Sequence, residues 1–104
     1  MGAQITIRYL QDYIRSKDYH PELKERYFMR LAEEAGELSR AMRKGLRPVD
    51  ERQIKGTIEE ELWDVMYYAL AIANLYDIDL ERVIPLKEAV NNEKHQNAAA
   101  FDPQ

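Results

Sequence analysis

The segment "RLAEEAGELSR", residues 30–40, decides how this chain folds and raises the question of what it does. Its apolar positions recur at helical spacing, so it belongs to an amphipathic helix. Yet two of its glutamates stand where such a helix buries leucine. With about 100° of rotation per residue, Tyr27, Leu38 and Ala41 fall within about 40° of Glu34, and Leu31 lies near 60°. Glu34 is therefore inside the apolar stripe and Glu37 is at its edge. The pattern recurs around Glu61, which shares a line with Ile54, Val65, Tyr68, Ile72 and Leu75, while Asp64 sits one turn on and about 60° away.

Working outward, helical periodicity dominates the chain and no stretch keeps a strand's period of two. Four helices are predicted, over residues 5–17, 22–44, 54–76 and 80–96. Pro21 suits the start of the second, Gly45 its left-handed C-terminal cap, and Arg43 and Lys44 its last turn. "GLRPVDERQ" is a polar connection, and Asp79 suits the N-cap of the fourth helix. Pro85 is expected to bend or restart that helix, and residues 97–104 read as a frayed tail. Short connections between helices of this length imply an all-α fold, an antiparallel four-helix bundle.

The bounds agree. A chain of 104 residues reads as one domain, 1–104, able to bury a core without metal or disulfide staples. Hydrophobic residues at 45% and charged residues at 33% place it among globular proteins. A net charge of -4 argues against a nucleic-acid partner, and no apolar run approaches a membrane span. There is no cysteine, hence no disulfide or thiolate site, and "MGAQITIRYLQDY" lacks the apolar core of a signal peptide. A cytoplasmic protein is expected.

Two helices thus each aim a pair of carboxylates at the core. Buried together, such groups repel and lose hydration at several kcal/mol per uncompensated ion, so a cation is required among them. The histidines, His20 and His95, do not stand three residues after any glutamate, so the Glu-x-x-His pairs of di-iron bundles are absent. An all-carboxylate cage suits a hard ion, Mg²⁺ or Mn²⁺. The competing reading makes these glutamates structural ion pairs with Arg30, Arg40 or Lys55.

"EEAGEL" at 33–38 and "ELWD" at 61–64 resemble the Glu-x-x-Glu and Glu-x-x-Asp motif pair of the MazG-like, all-α nucleoside triphosphate pyrophosphohydrolases. "KEAVNNEK" at 87–94 is similar to the Lys-x-x-x-Asn element that follows them in that family. The resemblance implies that Glu34, Glu37, Glu61 and Asp64 ligate Mg²⁺. It also implies hydrolysis of a nucleoside triphosphate to the monophosphate and pyrophosphate, by a helical homodimer or dimer of dimers.

Lys87, Asn91 and Lys94 share one helical face and are candidates for holding the phosphate tail, against a solvated charged face as the alternative. Glu33 is a candidate for orienting the attacking water, although it points about 100° away from Glu34. Trp63, Tyr67 and Tyr68 read as core or interface rather than site. Trp63, Met66 and Leu70 lie opposite Glu61, which makes the third helix apolar nearly all round and predicts self-association. Two other classes compete with the hydrolase: a metal-free helical dimerisation module, and a different oxygen-ligand metalloenzyme of the dimanganese or di-iron type.

Overall fold

The computed structural model describes residues 4–95, with side chains described through Glu93, and every regular element in that span is helical. The elements are α1 (Ile7–Lys17), a 3₁₀ turn (Pro21–Leu23), α2 (Lys24–Lys44), α3 (Ile58–Leu75) and α4 (Leu80–His95). The expected frayed tail, 97–104, and the expected end of the fourth helix at residue 96 lie outside the described residues.

Each boundary has a local cause. Thr6 caps α1 by accepting the Tyr9 N–H at 3.0 Å. Pro21 opens a 3₁₀ turn, so the α-helix begins only at Lys24, two residues later than the sequence suggests. Gly45, at φ 62°, closes α2 with its N–H on the carbonyls of Ala41 and Met42, as its sequence position predicts. Ile54 extends the apolar stripe of the third helix on paper, but Gly56 at φ 80° breaks the helical path and α3 starts at Ile58. Thr57 accepts the Glu60 N–H at 3.4 Å, while the Glu60 carboxylate accepts the Gly56 N–H at 2.7 Å. This is a capping box shifted by one residue. Asp79 caps α4 through the Glu81 N–H at 3.0 Å. Pro85 lies inside α4, which continues past it without a restart.

The antiparallel pair α2 and α3 forms the main helix contact, α1 packs across α3, and α4 rests on α1. Ile14, Tyr27, Leu70, Ala71 and Leu75 are buried at the centre, with Leu10, Leu23, Trp63, Tyr67, Tyr68 and Ile72 packed around them. α1 covers the side of α3 carrying Leu70 and half-buried Trp63. The apolar patch expected from Trp63, Met66 and Leu70 therefore shrinks to Met66, joined by Leu62 and, on α2, by Phe28, Met29 and Met42.

Two polar ties fix these helices. Buried Gln11 donates to the Asn74 side chain at 3.0 Å and to the Ile78 carbonyl at 2.8 Å, and accepts the Leu80 N–H at 3.1 Å. Asn74 returns a bond to the Gln11 carbonyl at 2.8 Å, so α1 is locked to the α3–α4 turn. At the other end of α1, Asp18 accepts the hydroxyl of Tyr27 on α2 at 2.6 Å and that of Tyr67 on α3 at 2.8 Å. One carboxylate thereby pins three helices together.

Candidate metal centre

The α2–α3 contact is where the carboxylates meet. Glu34 comes from the middle of α2, and Glu61 and Asp64 stand one turn apart in the first half of α3. One oxygen from each lies within 4.8 Å of the others. An ion with oxygen ligands at about 2.1 Å holds neighbouring ligands about 3 to 4 Å apart, so small side-chain movements close this trio around one centre. The donor set is oxygen only, which fits a hard divalent cation and not a thiophilic one.

Burial is uneven across the trio. Glu61 is 8% exposed, an unusual position for a carboxylate, while Glu34 and Asp64 are half-buried beside it. Loss of water, followed by repulsion from Asp64, Glu34 and Glu60, pushes the Glu61 carboxyl up to about 7. Burial, then the charge of Glu60, raises the Asp64 carboxyl as well, and a hydrogen bond with Glu61 and then the Arg30 guanidinium partly oppose that rise. The first turn of α3 also offers its N-terminal dipole to Glu59, Glu60 and Glu61, which offsets part of the penalty.

Cationic compensation is weak. Arg30 approaches Glu34 at 3.7 Å, a loose contact shared with Glu33 at 3.3 Å and with the Tyr68 hydroxyl, also at 3.3 Å. Among the described residues no lysine or arginine forms an ion pair with Glu61 or Asp64. Arg40 instead meets Glu37 at 3.8 Å, and Lys55 is exposed, without an ion pair among the described residues. A set of structural ion pairs would place a cation against the most buried carboxylate. Here the most buried carboxylate has none.

The other residues marked by the sequence stand apart from this trio. Glu37 is exposed on the edge of α2 beside Arg40, and Glu33 is exposed and bonded to Arg30. On α4, Lys87 is exposed and the Asn91 side-chain amide donates to Glu88 at 2.8 Å, on a helix that packs chiefly against α1. The Lys94 side chain lies outside the described residues. Nothing among the described contacts links Lys87 or Asn91 to the carboxylates.

Three features escaped the sequence reading. Glu60 adds a fourth negative charge beside Glu61, and the Thr57-x-x-Glu60 spacing could have marked it as a cap. Tyr68 holds Arg30 with its hydroxyl and lies beneath it at 5.4 Å. The Asp18 tie to Tyr27 and Tyr67 links residues too distant in sequence for any local signal.

Comparison with known proteins agrees with this geometry. Residues 23–97 match the model of the MazG nucleotide pyrophosphohydrolase domain. The crystal structure of C-terminally tagged iMazG from Vibrio DAT 722 superposes with a TM-score of 0.79 at 43% identity, covering 85% of this chain and 99% of that one. The N-terminally tagged form gives 0.80 at 42% identity, covering 90% and 100%. No curated protein matched the chain significantly. A match across most of the chain, with relatives this similar over nearly their whole length, has one consequence: the chain belongs to the MazG nucleotide pyrophosphohydrolase family, enzymes that hydrolyse nucleotide phosphoanhydride bonds.

Proposed function

We propose that this protein is a Mg²⁺-dependent nucleoside triphosphate pyrophosphohydrolase, releasing a nucleoside monophosphate and pyrophosphate. The observation that carries the reading is the trio Glu34, Glu61 and Asp64, whose buried member, Glu61, has no ion pair with a protein cation among the described residues. Mn²⁺ suits the same oxygen set and is the expected substitute.

Glu61 and Asp64, one turn apart on α3, and Glu34, facing them from α2, would hold the ion. When bound, it supplies neutralisation of the phosphate chain and a lowered pKa for a coordinated water. The side chains have separate tasks. Burial of Glu61 keeps the site poorly hydrated, which strengthens its hold on any cation that enters. Asp64 and Glu34 are less buried than Glu61, so substrate would approach the ion from their side. Glu37 follows Glu34 by one turn and is held only loosely by Arg40, so it would be the candidate for a fourth oxygen donor. A water attacking the α-phosphorus breaks the bond to the bridging oxygen between the α- and β-phosphates. The leaving group is then pyrophosphate. Phosphorus NMR of a reaction with Mg²⁺ should show a nucleoside monophosphate and pyrophosphate only. Inorganic phosphate with a nucleoside diphosphate would overturn the proposed bond specificity.

Self-association is part of the same proposal. Phe28 and Met29 surround one open cavity of about 500 Å³ with Ile72 and Tyr76, and Met66 borders another of about 420 Å³ with Ile5, Leu10 and Trp63. An apolar surface on both helices of the central pair suits a second copy of the chain. Light scattering at micromolar concentration should give at least twice the 12.3 kDa chain mass, and a mass near 12.3 kDa would refute this.

Glu61→Gln separates a metal site from structural ion pairing. The folded Glu61 carboxyl is raised from 4.5 to about 7, so the folded protein binds more protons than the unfolded chain between those values. This group's penalty is absent below about 4.5 and grows as pH rises through 7. Without metal at pH 7, Glu61→Gln should therefore melt at the same temperature or higher, with a gain of up to about 1–3 kcal/mol. In millimolar Mg²⁺ the order should reverse, because the variant loses the ion's stabilisation, and activity should fall by orders of magnitude. A large loss of stability already present in EDTA would contradict the metal site.

A further inference from the structure

Next to the carboxylate trio lies a small cavity of about 170 Å³ bounded by Asp18, His20, Arg26, Tyr27, Arg30 and Tyr68. Pockets that take a whole small molecule usually occupy about 300–1,000 Å³, so this one is sized for part of a ligand. Two of its lining residues, Arg30 and Tyr68, relate it to the proposed metal site. Arg30 lines the cavity and is 3.7 Å from Glu34, and Tyr68 lines it one turn beyond Asp64.

Its walls are cationic. Arg26 makes no hydrogen bond, ion pair or ring contact among the described residues, although it borders the cavity. It stands one turn before Arg30, and like charges at that spacing repel until an anion lies between them. The one carboxylate in the wall, Asp18, has one oxygen on the Tyr27 hydroxyl and the other on that of Tyr67. His20 lies beside Glu22, 3.7 Å from its carboxylate. Two guanidinium groups one turn apart match the paired oxygens of a phosphate chain.

Arg30 has a second feature. Among the described residues it is the cation in an ion pair with the trio, shared between Glu34, Glu33 and the Tyr68 hydroxyl, with no short contact to any of them. A divalent ion among the carboxylates replaces its attraction to Glu34 with repulsion from like charge. Tyr68 then retains the guanidinium on the cavity wall.

We propose that this cavity receives the phosphate chain of the substrate, with Arg26 as a standing contact and Arg30 transferring from Glu34 to a phosphate oxygen when the metal binds. The inference rests on the Mg²⁺-dependent reading above. It assigns to α2 the phosphate contacts that the sequence suggested for α4.

The two arginines should behave differently, and calorimetry on the full chain reads the difference. For Mg²⁺ alone, Arg26→Ala should bind as the wild type does. Arg30→Gln should bind severalfold more tightly, because a like charge has been removed. For pyrophosphate added to Mg²⁺-saturated protein, each variant should bind at least tenfold more weakly, and Arg30→Lys should recover part of the loss. Both arginines are exposed, so melting temperatures should match the wild type and exclude misfolding. Unchanged pyrophosphate binding in both variants would overturn this proposal alone. Retained pyrophosphate binding with a loss of nucleotide affinity that varies with the base would also overturn it, because the cavity would then hold the base. A wild type that binds no Mg²⁺ would overturn the metal-dependent reading and this proposal with it.

Discussion

The repulsion among Glu34, Glu61 and Asp64 is the constraint to which the rest of the molecule answers. Three carboxylate oxygens lie within 4.8 Å of one another at the main helix contact, where apolar residues would be more stabilising. Two antiparallel helices alone would relieve that strain by sliding or separating. They are prevented from doing so by the packing of Tyr27, Leu70, Ala71 and Leu75 farther along the pair, and by α1 lying across α3. The site is stressed because its surroundings are rigid, a common relation between a stable scaffold and a reactive centre.

The ties that supply this rigidity are polar and satisfied. Gln11 and Asn74 exchange bonds between α1 and the end of α3, and Asp18 joins the end of α1 to α2 and α3 through two tyrosine hydroxyls. Burial and hydrogen bonding to Asp18 push the Tyr27 hydroxyl up to about 12 and raise that of Tyr67 further, so both remain donors at neutral pH. The same Asp18 cluster borders the cavity lined by Arg26 and Arg30. Structural tie and binding surface are continuous, so the position of that cavity relative to the carboxylates is set by the core.

Much of this was legible in the sequence, because helical period is a local property. The phase of Glu34 and Glu61 within their apolar stripes marked both as core positions, and both were found there, Glu61 more deeply than Glu34. Glu37, predicted at the stripe's edge, is exposed for the same geometrical reason. Errors arose where period was trusted over backbone chemistry. Ile54 fits the stripe, but Gly56 in the left-handed region and the Thr57 cap start the helix four residues later. The face of Trp63, Met66 and Leu70 calls for a cover, but period cannot say that α1 of the same chain supplies it over Leu70. Arg26 gave no signal at all, since an arginine on a helix surface is ordinary until a cavity is seen beside it.

The central claim is that a carboxylate trio with one buried, partly protonated member, Glu61, is prepared for a divalent cation, and proton release on metal binding measures this directly. Ligands must be deprotonated to bind, so a carboxyl raised to about 7 loses its proton as the ion enters. Calorimetric titration of Mg²⁺ in two buffers of different ionisation enthalpy should show proton release at pH 7 that shrinks as the pH is raised well above 7. Mg²⁺ binding with no proton release at pH 7, or no Mg²⁺ binding at all, would contradict the account.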